Sequence, residues 1–149
     1  MAPGALPALE TTFLDDSVLD EVLRWLQEQQ AQNVLEPYRR GIMQLLHAEH
    51  SPSVLAQVVL DMYAAMEACV TTMTDADLAT TPELFIQRVP VSAPGQDVLR
   101  AYLTYVYTCR QAVQSAETPL AFSLPEVEAL VSLTGVFIRL ALTTGSRPT

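Results

Sequence analysis

The sequence predicts an all-α protein, a single-domain bundle of about five main helices plus one or two short helical turns. Apolar residues recur every three or four positions in long segments, several of these segments begin at a proline, and no segment alternates as a strand does. The chain has 149 residues, and 50% of them are hydrophobic, which suits one domain with a substantial core. We expect residues 14–143 to form this bundle, between flexible termini at residues 1–13 and 144–149.

The first two predicted helices are amphipathic. Residues 16–32 place aliphatic side chains on one face and charges at four-residue steps on another. Residues 37–50 turn Tyr38, Ile42 and Leu45 toward the core. We expect this second helix to begin at its proline, because proline at the first helical position sacrifices no backbone hydrogen bond.

The third predicted helix, residues 52–73, begins at a Ser-Pro pair whose serine hydroxyl can cap free N–H groups. Asp61 interrupts its apolar run. We expect this carboxylate either to face solvent or to be buried as the partner of Arg110 or Arg139. One or two short helical turns should follow within residues 74–88.

The last two predicted helices span residues 96–115 and 124–143, and a loop at residues 89–95 precedes them. The sequence from Ser123 to Glu126 is a capping box that marks the start of the final helix. Apolar residues occupy nearly the whole circumference of this helix. We therefore expect it to lie at the centre of the bundle or in a subunit contact.

The charge of the chain is strongly acidic and unevenly spread. The formal net charge is −9, and every cation is arginine, since the chain contains no lysine. Residues 1–100 carry this whole net charge, whereas residues 101–149 are neutral. Such a chain repels phosphate, which argues against nucleic acid as a partner. No uncharged run reaches the roughly 18 residues of a membrane span, and no basic region precedes the first apolar residues, so we expect a cytoplasmic protein.

Most residue patterns for cofactors and catalysis are absent from the sequence. The five glycines are too scattered for a phosphate loop, and Cys69 and Cys109 are too far apart for a disulfide framework or a zinc cluster. We therefore expect no cofactor. His47 and His50, three residues apart, form a weak metal candidate that needs a third ligand. The alternative is that both rings occupy the end of a helix, where they can bond free carbonyl groups.

Arg40 and His47 are separated by six residues, so both side chains are expected on one helix face. This spacing resembles the Arg-x4–6-His signature of HEPN-type helical ribonuclease domains. The resemblance implies a metal-independent ribonuclease of the toxin or defence type, in which the pairs of two subunits meet in a dimer cleft. There a base would activate the ribose 2′-hydroxyl while arginine stabilises the phosphorane charge. Gly41 stands where the family usually has a polar residue.

Because no complete catalytic set is recognisable, the leading prediction is a non-enzymatic interaction or regulatory protein that forms a homodimer through its C-terminal helices. The ribonuclease that uses Arg40 and His47 is one alternative. A second alternative is a binder of a small apolar ligand, with a pocket between the third and fifth predicted helices. The candidate interface residues are Tyr105, Val136, Phe137, Arg139 and Leu140.

Overall fold

The computed structural model describes residues 24, 27, 32–47, 49–75, 77–80, 82–115 and 121–145. Within these residues the chain forms five helices and no strand, which confirms the predicted all-α bundle. The helices are α1 (Gln32–His47), α2 (Pro52–Thr74), α3 (Pro82–Arg88), α4 (Ala93–Gln114) and α5 (Leu124–Gly145). Most of the first predicted helix, residues 16–32, lies outside the described residues, as do residues 1–13 and 146–149.

The central helix of the bundle is α2, which contacts each of the other four helices. Among the described helices it is also the one long and apolar enough to cross a membrane by length and composition, but more than half of its most apolar window is buried inside the bundle. Of the two positions expected for the final helix, the centre of the bundle is therefore taken by α2. Helix α5 buries one face against the bundle and exposes Leu133 and Val136 on the other.

Side-chain contacts give the direction of each long helix. Asn33 on α1 bonds to Thr72 on α2, and Arg40 bonds to Asp61, so these two helices form an antiparallel pair. Helix α4 is antiparallel to both α2 and α5. Its direction follows from the contacts of Tyr63 with Arg110, Tyr102 with Thr134 and Tyr105 with Glu126, together with the electrostatic interaction between Cys69 and Tyr102. Helices α2 and α5 therefore run in the same direction.

Serine residues start three of the helices, as the sequence predicts for two of them. A serine hydroxyl oxygen accepts a hydrogen bond from the backbone N–H three residues later, at 3.2 Å, before α2, α4 and α5. These serines are Ser51, Ser92 and Ser123. The Glu126 carboxylate of the predicted capping box accepts a hydrogen bond from Tyr105. Because the cap of α4 is Ser92, that helix begins three residues earlier than predicted.

Pro37 lies inside α1 and does not start it, so the predicted beginning of the second helix is wrong. An internal proline removes one backbone hydrogen bond and crowds the preceding turn, at a cost of about 3 kcal/mol. The helix continues through it because the neighbouring Val34, Leu35 and Tyr38 are fully buried. Burial of three large side chains outweighs the local preference of one residue.

Asp61 is a buried carboxylate in the middle of α2, with 2% of its side chain exposed. Its Oδ1 accepts hydrogen bonds from Nε of Arg40 at 2.9 Å and from the amide of Gln57 at 3.2 Å. Its Oδ2 accepts a hydrogen bond from the amide of Gln44 at 2.9 Å. We call these four residues the Asp61 cluster. The cluster satisfies a buried charge with donors from two helices.

The partner of Asp61 differs from the two arginines that the sequence suggested. The guanidinium of Arg110 lies 4.6 Å from the centroid of the Tyr63 ring, and Arg139 is exposed on α5. Arg40 reaches the carboxylate because α1 is the helix packed along this face of α2. The pair of Arg40 and Asp61 joins two different helices, so residue spacing within one helix cannot predict it.

Two buried tyrosine hydroxyls have different hydrogen-bonding environments in the core. The hydroxyl of Tyr102 donates to Oγ1 of Thr134 at 2.6 Å, and this threonine in turn donates to the carbonyl of Leu130 at 2.8 Å. Tyr38 is fully buried, and its hydroxyl has no hydrogen-bond partner within the described part of the chain. Burial raises the pKa of both tyrosines. A Cβ atom added at Gly135 would overlap the Tyr38 hydroxyl.

We expect Arg40→Met to lower the free energy of unfolding by about 1–2 kcal/mol, because it leaves the buried Asp61 carboxylate without its counter-charge. The same change made in an Asp61→Asn protein should cost much less, since a neutral amide needs no counter-charge. Urea denaturation of the two single variants and the double variant measures this difference. Arg100→Met is the matched control, because Glu83 and Asp97, which pair with Arg100, are exposed. Equal losses in both backgrounds would show that the ion pair has no role in stability.

We expect Tyr38→Phe to raise the free energy of unfolding by about 1 kcal/mol, because it removes a buried hydroxyl that has no partner among the described residues. Tyr102→Phe should lower it by about 1 kcal/mol, because it removes a hydrogen bond. Gly135→Ala should be tolerated better in the Tyr38→Phe protein than in the wild type, since the overlapping oxygen is gone. Thermal and urea unfolding of these variants test the set. A destabilised Tyr38→Phe protein would mean that the hydroxyl has a partner.

Candidate interaction surface on the last helix

One side of α5 builds the core and the opposite side is apolar and exposed. Leu130, Val131 and Ile138 are buried on the inner side. On the outer side, Leu133 and Val136 are 40% and 53% exposed. We call these two residues the outer row. Their spacing of three residues places them on adjacent turns of one helix face.

The part of α5 that carries the outer row holds little charge. The acidic residues of α5, Glu126 and Glu128, both lie within its first five residues, and the sequence from residue 129 onward contains no acidic residue. Arg139 is the one charged residue between the outer row and the end of α5, and it is exposed. This part of α5 therefore lacks the acidic residues that give the chain its net charge.

The other predicted interface residues have different positions in the structure. Phe137 is buried, with its ring centroid 5.0 Å from that of Tyr102, so it belongs to the core and cannot line a surface. It follows Val136 directly but lies on the inner side of the helix. Leu140 is half-buried. Val136 and Arg139 are exposed, as an interface requires.

Tyr105 is a residue of α4 and is half-buried against the beginning of α5. Its hydroxyl donates to Oε2 of Glu126 at 2.5 Å. Burial is the main reason that the pKa of Tyr105 is raised, and the hydrogen bond to Glu126 adds to it. This tyrosine joins two helices of the bundle, which is a structural role.

The two residues of the ribonuclease alternative are both on α1. Nε of Arg40 is occupied by Asp61, while 57% of the arginine side chain remains exposed. His47 is the last residue of α1, and its side chain is outside the described residues. The pairing of Arg40 with His47 stays a prediction.

His50 follows α1 and bonds back to it. Its Nε2–H donates to the carbonyl of Leu45 at 2.6 Å, the contact expected of a histidine at a helix end. Among the described residues, no group of three or more His, Cys, Asp or Glu side chains is placed to hold a metal ion. The thiols of Cys69 and Cys109 are both free and buried. Burial raises the pKa of Cys69 to about 12, so it is not a thiolate at neutral pH.

The pocket predicted between the third and fifth helices of the sequence would lie between α2 and α5. Two depressions in the structure lie elsewhere. A cavity of about 140 Å³ lies between α3 and α4, and its lining includes Leu78, Pro82, Leu103 and Tyr107. A shallow, open cleft lies beside the C-terminal half of α2. Neither is lined by α5.

Glu128 is the functional candidate that sequence analysis missed. It is only 3% exposed. Burial raises its pKa, and His50 opposes that effect. The helical register contained a signal, because Glu128 comes four residues after Leu124 and three before Val131, positions that pack toward the core.

Comparison with protein-family models, with curated proteins and with solved structures finds no match to this chain. The class of this protein is therefore defined by its helical fold and by the exposed surface of α5 alone. The protein is an all-α helical bundle whose last helix presents an exposed apolar row.

Proposed function

We propose that this protein is a non-enzymatic helical interaction protein that self-associates through α5, with a second copy of the chain as its partner. The observation that carries this proposal is the exposure of Leu133 and Val136, at 40% and 53%, on a helix whose opposite side is part of the core. Large apolar side chains clustered on a rigid helix are typical of protein contacts.

Charge favours a second copy as the occupant of this surface. Two chains with a net charge of −9 repel each other over most of their surfaces. Repulsion is weaker where acidic residues are missing, as they are in α5 after Glu128 and in α4 after Asp97. The outer row lies within the first of these two segments, so two copies can approach there at a low electrostatic cost.

Two-fold symmetry allows the two α5 helices to pair through the same row of residues. A two-fold contact applies the same patch of both subunits to each other, so one apolar row is used twice. Completing the burial of each half-exposed side chain contributes about 1 kcal/mol, roughly half the value for burying it fully. The four side chains of two copies together contribute about 4 kcal/mol, which corresponds to a dissociation constant of about 1 mM, so the expected complex is weak.

The chemistry of the polar core supports a role without catalysis. Arg40, Gln44 and Gln57 bind Asp61, and the Tyr102 hydroxyl is occupied by Thr134. These groups hold helices together, which is the requirement of a rigid scaffold that presents one helix face.

We expect Val136→Glu to abolish self-association, because it places a charge of the same sign on both copies at the centre of the contact. Sedimentation velocity over a series of concentrations measures the result. The wild-type protein should sediment faster as its concentration rises, and Val136→Glu should sediment as a monomer throughout. Circular dichroism should show an unchanged helix content, since residue 136 is exposed and glutamate is a good helix former.

Val98→Glu is the matched control, because Val98 is an equally exposed valine, at 57%, on α4. It adds the same charge to the chain but leaves α5 unchanged, so it should associate as the wild type does. A wild-type protein that is monomeric at every concentration would contradict the proposal. So would association of Val136→Glu to the same extent as Val98→Glu.

A further inference from the structure

The outer row of α5 belongs to a longer repeat on the same face of the helix. Ala129, Leu133, Val136 and Leu140 follow one another at intervals of four, three and four residues. Leu133 and Val136 are exposed, while Ala129 and Leu140 are half-buried, so all four side chains reach the surface. Alternating intervals of three and four residues are the spacing by which two helices pack side by side in a coiled coil. We call these four residues the seam.

Two orientations are open to a pair of seams that a two-fold axis relates. In a parallel pair, each seam residue faces the same residue of the second copy. In an antiparallel pair whose axis crosses the middle of the seam, Leu133 faces Val136 of the second copy, and Ala129 faces Leu140 of the second copy. The two orientations therefore bring different side chains together.

Side-chain size favours the antiparallel pair. There, each small Ala129 lies opposite a large Leu140, and each Leu133 lies opposite a Val136, so the two helices can stay at a similar distance along the whole seam. In the parallel pair, two alanines meet at one end of the seam and two Leu140 side chains meet at the other. That arrangement leaves a gap or spreads the helices at one end, which costs close packing.

Charge favours the antiparallel pair as well. Glu126 stands seven residues before Leu133, so it continues the seam toward the start of α5, and it is exposed. Its Oε2 accepts the hydrogen bond of Tyr105, which holds the carboxylate beside this end of the seam. A parallel pair would place the two Glu126 carboxylates opposite each other, where they repel. An antiparallel pair places each of them opposite the last turn of the other α5, a segment of the sequence without acidic residues.

We propose that the second copy packs antiparallel on α5, with Ala129 opposite its Leu140 and Leu133 opposite its Val136. This inference rests on the self-association proposed above and adds the orientation and register of the partner helix. The helix that fits the seam presents small and large apolar residues in the reverse order and no acidic residue opposite Glu126. A second α5 meets both conditions.

Disulfide trapping between two single-cysteine variants, Ala129→Cys and Leu140→Cys, tests the orientation. When the two proteins are mixed under mild oxidation, the new thiols face each other in the antiparallel pair and should form a mixed disulfide. In either variant alone, the two identical cysteines are eleven residues apart along the paired helices, about 16 Å. A disulfide joins Cα atoms no more than about 7 Å apart, so neither variant alone should form a covalent dimer. Non-reducing electrophoresis and intact mass measure the products, and the covalent bond accumulates even when the complex is weak.

Val98→Cys mixed with Leu140→Cys is the matched control, because Val98 is exposed on α4, away from the seam, and this mixture should give no mixed disulfide. The two native cysteines are buried, so the wild type should form no covalent dimer. Circular dichroism checks that each variant keeps its helix content. A covalent dimer of Ala129→Cys alone would indicate a parallel pair and overturn the proposal. Absence of the mixed disulfide, although the wild type associates in sedimentation, would also overturn it. Absence of both the disulfide and the association would contradict the self-association itself.

Discussion

A carboxylate in the middle of the central helix must be supplied with donors, and this requirement sets the position of α1. Asp61 is 2% exposed, and Arg40 and Gln44 reach it only when α1 lies in one register along α2. Gly41 permits the close approach, because a Cβ atom there would lie 3.2 Å from Cβ of Asp61. We infer that the ion pair helps to specify the α1–α2 register, which is the best-attested use of a buried polar group.

The surface of α5 is a consequence of this core geometry. With α1 and α2 in register, Tyr38 of α1 faces Gly135, and Tyr102 of α4 packs on Phe137. These contacts fix the rotation of α5 about its axis, because Gly135 and Phe137 must both face inward. Val136, which stands between them in the chain, is then directed outward together with Leu133. The same packing that satisfies the core leaves the outer row exposed.

Local signals in the sequence located most of the fold, and long-range contacts account for what it missed. Periodicity and the serines at residues 51 and 123 located α2 and α5, because caps and helix faces are properties of neighbouring residues. The predicted helix start at Pro37 is wrong, because the burial of the residues around Pro37 depends on contacts with another helix. The candidate surface was harder to predict, because a helix that is apolar on all sides does not show whether Val136 or Phe137 faces inward. The burial of Glu128 could not be predicted either, because the apolar circumference of this helix does not show which side faces the core.

The most direct test of the account is to locate the contact between two copies in solution. Amide chemical shifts, recorded by NMR from low to high protein concentration, report which residues sense association. We expect concentration-dependent shifts centred on Leu133 and Val136, with α3 and the Asp61 cluster unchanged. Spectra that do not change with concentration, or shifts centred on another helix, would contradict self-association through α5.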